Sequence, residues 1–337
     1  MTGWQMKPQA LQVLSCPNCL GPVEAVYSGP GTAEITALRC LREDLQFQVL
    51  DGIPMLVRAD RIASVEAFVG SFSAAWEKDG WGCPDDSYLL DLPYRDSTHR
   101  RASEWRVKAR SMEALLRILE IVQSSRVVDL GSGNGWLAHR LALLGREVYA
   151  VDILRDNRLG LAAAKVFLRA GPHFERIWGE LERPPFRDES MDVVICNASL
   201  HYATNLEQVI WEVARVLRPS GVFIVLNSPV HNDRRSATQA QTEFRTRLER
   251  LGATPDVVTR YHHFARSELE AAISTSFSNV VAAPFNPGTL FRWTRMLKGI
   301  ATGIEFASFP VLCATKTDSV RHSLKAWKQH SQRSTGR

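Results

Sequence analysis

Three glycines at alternate positions, Gly131, Gly133 and Gly135, follow a β-branched run in VVDLGSGNGW, residues 127–136. A turn of this kind lets a ligand approach backbone N–H groups that a side chain would cover. The dinucleotide fingerprint needs glycines at the first, third and sixth places. Counted from Gly131 the sixth place is Trp136, which argues against a nicotinamide or flavin dinucleotide. Asp129 closes the strand just before the turn, where a carboxylate would repel a pyrophosphate and favour an ammonium. A second acid, Asp152, ends EVYAVD 23 residues later. At such a strand end it can accept charge-assisted hydrogen bonds from two ribose hydroxyls.

A ligand with an ammonium, a sulfonium, a ribose and an adenine but no phosphate suits both acids, which points to S-adenosylmethionine. Gly131, Ser132, Gly133, Asn134 and Gly135 would lie against its methionine and sugar, and Asp152 with Ile153 against the ribose. Residues 127–228, through VVDLGSGNG, VYAVD, WGELERPPFRDESMDVVICNASLHY and VARVLRPSGVFIVLNSP, resemble the class I S-adenosylmethionine-dependent methyltransferases, in particular the small-molecule type 11 group. The resemblance implies a Rossmann-like, doubly wound sheet of seven strands. It sets Glu180 and Leu181 at the adenine edge, although the family more often has Asp at the first of these. It also sets Asn197 beside the methionine part and Ser199 to Tyr202 along the acceptor.

Methyl transfer from a sulfonium is an in-line displacement, so the protein mainly aligns the reactants and excludes water. A general base matters only for an acceptor that stays protonated at neutral pH. His201 is the best-placed candidate, with loop shaping as its alternative role, and Tyr202 would position an acceptor or pack. His262 and His263, ahead of a helix start at Ser267, read as surface or capping neighbours, with a lid role as the alternative. On the helix before the first strand, Trp105 and Arg106, with Tyr94 and Arg95 shortly before, could cover the cofactor, an arginine meeting its carboxylate, or could simply pack a helical cap onto the sheet.

The elements that must hold these residues alternate from residue 126 onward. RVVDL, EVYAVD, FERIW, DVVIC and VFIVLN read as strands; GWLAHRLALLG, NRLGLAAAKVFLRAG and LEQVIWEVARVLRPSG read as helices. Such alternation makes a parallel sheet with right-handed crossovers. Two later strands, NVVAA and FPVLCAT, would complete it. Between the last of the alternating strands and these two lie the polar helix ATQAQTEFRTRLERLG and a second at SELEAAIS. An extra helix is expected within FNPGTLFRWTRMLKGIATGIE. The chain therefore divides into a β-rich module over 1–60, a helical linker or cap over 61–125 rich in aromatic residues, the methyltransferase region over 126–315 with an insertion at about 229–308, and a tail over 316–337.

In the first module, Cys16-Pro-Asn-Cys19, Cys40 and the stretch VLDGIPM resemble the zinc ribbon of methyltransferase activator subunits. That ribbon carries two CxxC pairs, because four thiolates close a tetrahedron around zinc. Here the place of the fourth cysteine is taken by Glu43. The incomplete set favours a module that kept the fold and lost the ion; three thiolates with Glu43, or with Cys83, are the alternative.

Charge bears on the partner. The net +5 resides wholly in residues 316–337, where six basic residues face Asp318 alone, and residues 1–60 carry −2. Nucleic-acid binders carry positive charge on the binding face. The balance therefore argues for a small-molecule acceptor over ribosomal or transfer RNA, with a non-catalytic scaffold as a further alternative. A basic end rich in Ser, Gln and His reads as solvated. No apolar run approaches 18 residues and no secretory signal is visible, so a cytoplasmic protein is expected.

Overall fold

The computed structural model describes residues 5–82, 85–122, 125–283, 285, 287–288, 293 and 307–317. Cys83, nearly all of the segment expected to form an extra helix, and the basic tail past 317 lie outside the described residues.

The first module is a four-stranded antiparallel sheet, β1 (Val23–Tyr27), β2 (Ile35–Cys40), β3 (Gln46–Leu50) and β4 (Ile53–Pro54). The last hairpin turns on Asp51 and Gly52, both at positive φ as a two-residue turn demands. Three helices follow, α1 (Ala59–Lys78), α2 (Asp86–Asp91) and α3 (Ala102–Val122). Strands β5 (Arg126–Leu130), β6 (Glu147–Asp152), β7 (Glu175–Trp178), β8 (Met191–Asn197) and β9 (Leu217–Leu226) then alternate with helices α4 (Trp136–Leu143), α5 (Lys165–Ala170) and α6 (Leu206–Val216). The insertion adds a two-residue strand β10 (Val230–His231), α7 (Arg234–Arg250), α8 (Pro255–Arg260), a short β11 (Phe264–Ala265) and α9 (Arg266–Ser274) before β12 (Asn279–Ala282) and β13 (Leu312–Thr315).

The main sheet has seven strands in the order β12-β13-β9-β8-β5-β6-β7. β7, β6, β5, β8 and β9 are mutually parallel, as the alternation of strands and helices implies, and β13 runs antiparallel to both neighbours. Alternate strand residues serve opposite layers, as the two-residue period of a strand requires. Val127, Val193 and Ile195 pack with Leu115, Ile118, Leu137 and Phe167 of α3, α4 and α5. Val128, Val194 and Cys196 pack with Val209 and Val213 of α6 and Leu269 of α9, in a core that also takes in Leu14, Leu38 and Leu56.

The first module is therefore fused into the main core. Met55 bridges Trp178 in parallel register and Leu56 N–H donates to Trp178 O, extending the sheet past β7. Leu14 bridges Phe186, Ser15 N–H donates to Pro185 O, and Arg187 N–H donates to Val13 O.

One expected helix is shorter than its sequence suggests. The apolar stretch 157–170 is helical only over α5, because the Asp156 carboxylate accepts from Arg158 and Leu159 N–H and holds a turn. A Cβ at Gly160 would strike the Leu154 backbone at 2.5 Å, so the turn also presses directly on the strand end after β6.

Candidate active site

The glycine turn joins β5 to α4, and all three glycines have positive φ, +78° at Gly131, +55° at Gly133 and +81° at Gly135. A Cβ on Gly131 would collide with Ser199 Cβ, so the turn fits against the loop after β8 only with glycine there. Gly131 and Ser132 N–H both donate to Val151 O, which seats the turn on the neighbouring strand. Asn134 Oδ1 accepts from Trp136 N–H at 3.2 Å at the start of α4.

Asp152 at the end of β6 binds across this turn. Its Oδ2 accepts from Gly133 N–H and its Oδ1 from Leu154 N–H, each at 2.7 Å. Burial pushes its carboxyl up to about 6, against the pull of those N–H groups. Asp129 is buried more completely, and neither oxygen has a hydrogen-bond partner. Burial first, and then the Asp152 charge, push it up to about 8. A buried carboxyl with both oxygens unanswered is suited to an incoming ammonium.

These groups border one cavity of about 640 Å³. Gly131, Ser132, Gly133, Asn134, Asp152, Ile153, Glu180, Leu181, Asn197, His201 and Tyr202 all line it, whereas Asp129 and Gly135 lie behind its wall. The Ser132 hydroxyl is buried without a partner. Ile153 O accepts from the Trp178 indole N–H at 2.8 Å. Glu180 is engaged already: its Oε1 accepts from Arg61 of α1 at 3.0 Å. Asn197 Oδ1 accepts from Asn227 Nδ2, which also donates to Ser111 Oγ of α3, both at 2.8 Å. Asn227 Oδ1 is left buried and unsatisfied at the same wall.

His201 lies in a short 3-10 turn after β8, 4% exposed, with Nδ1 3.2 Å from Ser228 Oγ. Burial, then the nearby His263, Lys108 and His262, hold it well below the ordinary imidazole range, so it is neutral at pH 7. Its ring meets Tyr202 (4.3 Å between centroids) and Tyr261 (4.7 Å). Burial raises the Tyr202 phenol well above its usual range.

Past Tyr202 the cavity becomes an aromatic lobe. Phe72 stacks on Trp76 at 4.2 Å, Phe244 stacks on Tyr261 at 3.9 Å, and Tyr202 stands edge-on to both pairs. At its rim the Asp79 carboxylate accepts from Arg101 Nη2 at 2.6 Å and from Arg247. Sequence reasoning missed Asp79, Arg101, Lys108, Phe244, Arg247 and Tyr261. The aromatic residues of the cap region are visible in the sequence, but ATQAQTEFRTRLERLG reads only as a polar helix, with no sign of what the two enclose together.

Two expectations are corrected. Arg106 and Arg95 turn away from the cavity: Arg106 donates to Ala102 O within its own helix, and Arg95, 76% exposed, pairs with Asp91. The basic groups that do line the cavity from this region are Arg101 and Lys108. His262 and His263 are half-buried and packed against neighbours of the site rather than fully exposed. His262 N–H donates to His201 O at 2.8 Å, and His263 Nδ1 lies 3.0 Å from His231 Nε2, with burial holding it down to about 4.

In the first module, one ligand atom each from Cys16, Cys19, Cys40 and Glu43 lie within 4.8 Å of one another. Cys19 Sγ and Cys40 Sγ are 3.5 Å apart and accept from Gly21 and Arg42 N–H, each at 3.4 Å. Glu43 Oε2 lies 3.7 Å from Cys16 Sγ and is steadied by Asn18 Nδ2 at 2.9 Å. Three sulfurs and one carboxylate oxygen so disposed fit a tetrahedral zinc.

Residues 128–225 match the family described as "Methyltransferase domain". Among curated relatives, the chain is 29% identical to the sterol 4-C-methyltransferase strm-1 of Caenorhabditis elegans over 156 residues, 46% of this chain and 44% of that protein. It is 32% identical to a malonyl-[acyl-carrier protein] O-methyltransferase of Geobacter sulfurreducens over 137 residues, 38% of this chain and 50% of that protein. These matches span half the length of each relative or less. Among solved structures, the PH0226 protein of Pyrococcus horikoshii aligns at 19% identity and a TM-score of 0.44, covering 68% of this chain and 96% of that one. Among the described residues, no helix is long and apolar enough to cross a membrane.

Proposed function

Because residues 128–225 belong to the class I S-adenosylmethionine-dependent methyltransferases, we propose that this chain methylates a small molecule with an apolar body. When bound, S-adenosylmethionine supplies a methyl group already activated by its sulfonium. The observation that carries the reading is one cavity whose one half is built from the glycine turn and Asp152, with Asp129 behind its wall, and whose other half is the aromatic lobe. The relatives named for a sterol and for a carrier-bound malonyl group agree with a small or mainly apolar acceptor.

In this reading Asp129 answers the cofactor's ammonium, Asp152 accepts from the ribose hydroxyls, and Leu181 with the Glu180 backbone borders the adenine. Glu180 itself is fixed by Arg61, so its carboxylate serves the wall as much as the ligand. Phe72, Trp76, Tyr202, Phe244 and Tyr261 exclude water and orient the acceptor. A buried imidazole with its basicity lowered this far is a weak proton acceptor, so His201 acts chiefly as a hydrogen-bonding and packing group at the junction of the two halves. An aromatic lobe recessed beside the glycine turn also favours a small acceptor over a nucleic-acid strand.

Calorimetric titration with S-adenosylhomocysteine tests the cofactor half, and at about 100 times its Kd the ligand should stabilise the fold by about 2.7 kcal/mol. Absence of both heat and thermal shift would overturn the proposal. Convergence of Cys16, Cys19, Cys40 and Glu43 also favours a zinc-holding front module over one that lost its ion. Metal analysis of the purified chain should then return close to one zinc per chain, and a Cys40→Ser variant should return none.

A further inference from the structure

Among the described residues four basic side chains line the cavity, and three are already answered by carboxylates: Arg101 by Asp79 and Glu104, Arg247 by Asp79, and Arg260 by Asp256. Lys108 is the exception. It projects from α3 against the indoles of Trp81, with Nζ 4.9 Å from the ring centroid, and Trp105, at 4.4 Å. Among the described residues its ammonium has no ion pair and no hydrogen bond. Glu104, one turn earlier on the same helix, is turned toward Arg101 and Ser103 instead.

Two indole faces offset only part of the cost of drawing an ammonium out of water. Burial accordingly pushes Lys108 down to about 8, and Arg101 lowers it further against the pull of Glu104. An anion arriving in the cavity would meet a half-buried cation with no carboxylate to displace, where a paired arginine would first have to give up its partner.

The position of Lys108 narrows what that anion is. Trp105 touches Trp136, the residue after the glycine turn, at 5.8 Å between ring centroids. Ser111, one turn on along α3, accepts from Asn227, which holds Asn197. Lys108 thus stands where the cofactor half meets the aromatic lobe. It offers one unpaired positive charge, which balances a monoanion and leaves a phosphate dianion short of a partner.

We propose that Lys108 is the anion-binding post of this cavity and that it takes a carboxylate, carried either by the amino-acid end of the cofactor or by an acidic, apolar-bodied acceptor. The naming of the cofactor rests on the methyltransferase reading; the anion site does not. The test is calorimetry on the wild type, Lys108→Gln and Lys108→Met. The probes are S-adenosylhomocysteine and 5′-methylthioadenosine, which keeps the nucleoside and thioether but lacks the amino acid. If the cofactor supplies the carboxylate, both variants lose roughly 10- to 100-fold in S-adenosylhomocysteine affinity and bind 5′-methylthioadenosine as the wild type does. If the acceptor supplies it, S-adenosylhomocysteine affinity is unchanged. In that case the wild type saturated with it binds 4-hydroxybenzoate or decanoate, rejects the matching amides, and loses the acids on substitution.

Equal weakening of both nucleosides would assign Lys108 a packing role and overturn the proposal. So would variants that match the wild type toward S-adenosylhomocysteine and every acid. A wild type blind to S-adenosylhomocysteine would instead overturn the methyltransferase reading, and the acid-against-amide comparison run without cofactor would still judge Lys108.

Discussion

At the scale of single residues, the two strand-end acids carry opposite demands. Asp129 is neutral over much of the physiological range in the free protein, because its folded value of about 8 lies far above the usual carboxyl range. For an acid raised on folding, the folded state binds more protons between the unfolded and folded values, so this group's contribution to stability falls as pH rises from about 4 to about 8. An arriving ammonium favours the carboxylate, so binding S-adenosylhomocysteine near pH 7 should release a proton from Asp129. Affinity should therefore climb as pH rises toward 8 and then level. Titration in buffers of different ionisation enthalpy reads the proton directly; no release would remove Asp129 from ammonium binding. Asp129→Asn should raise the melting temperature of the free protein at pH 8 and weaken the ligand. Asp152 behaves differently, since two backbone N–H groups already favour its charge. Asp152→Ala should cost roughly 1.5–3 kcal/mol of cofactor binding for each charge-assisted bond lost, and it should also loosen the turn at Gly133. An unchanged Kd would exclude it from the ribose role.

At the scale of elements, the wall between β7 and β8 is held from outside by the first module. Arg183, two residues past Leu181, donates to Pro17 O at 3.1 Å and Asn18 O at 3.0 Å, between the two cysteines of the CPNC knuckle, and pairs with the fully buried Glu212 of α6. Arg61 reaches the same wall at Glu180. Arg183→Ala should therefore lower stability by about 2 kcal/mol and weaken S-adenosylhomocysteine although the side chain lies outside the cavity. Stripping metal should weaken the ligand in the wild type more than in this variant; equal losses would show that the knuckle and the wall are not connected. The parts of the site that neighbours in sequence define were legible in the sequence: Asp129, the glycine turn, Asp152 and the loop after β8 all sit at strand ends that a two-residue period and a glycine spacing reveal. Lys108, Asp79 and Arg247 were not, because each matters through a partner 22 to 168 residues away or through a missing one. The sequence pattern also overran α5, since a side-chain turn at Asp156 outcompeted the helix, and it cannot see that the front hairpins extend the main sheet at Trp178.

At the scale of the whole molecule, the aromatic lobe is built where three distant segments meet over the sheet. α1 supplies Phe68, Phe72 and Trp76, α7 supplies Phe244 and Leu248, and α8 supplies Val257 and Val258, which pack as one cluster with Leu154. The polar fastening of this cap is concentrated at the end of α1. Asp79 caps that helix, accepts from Arg101 just ahead of α3 and from Arg247 of α7, and its own carbonyl accepts from Arg101 as well. Lys78 donates to Leu251 O and Thr254 N–H to Ser71 Oγ on the same seam. The Asp79 and Arg101 side chains are each 14% exposed, enough shielding for the pair to matter more than a surface bridge but not enough to strand a charge in the interior. Asp79→Asn keeps the shape and removes the charge shared by both arginines. It should lower stability by about 1–3 kcal/mol and speed amide hydrogen exchange along α7 and the last turns of α1. Exchange in β5, β6 and β8 should not change, because the cap packs on the ends of the sheet and not within it. Affinity for S-adenosylhomocysteine should fall much less than affinity for any acceptor that fills the lobe, since Asp152 and the glycine turn lie on the other side of Tyr202. Exchange that quickens across the whole sheet would instead make Asp79 a global stability residue and leave the cap without a fastening of its own.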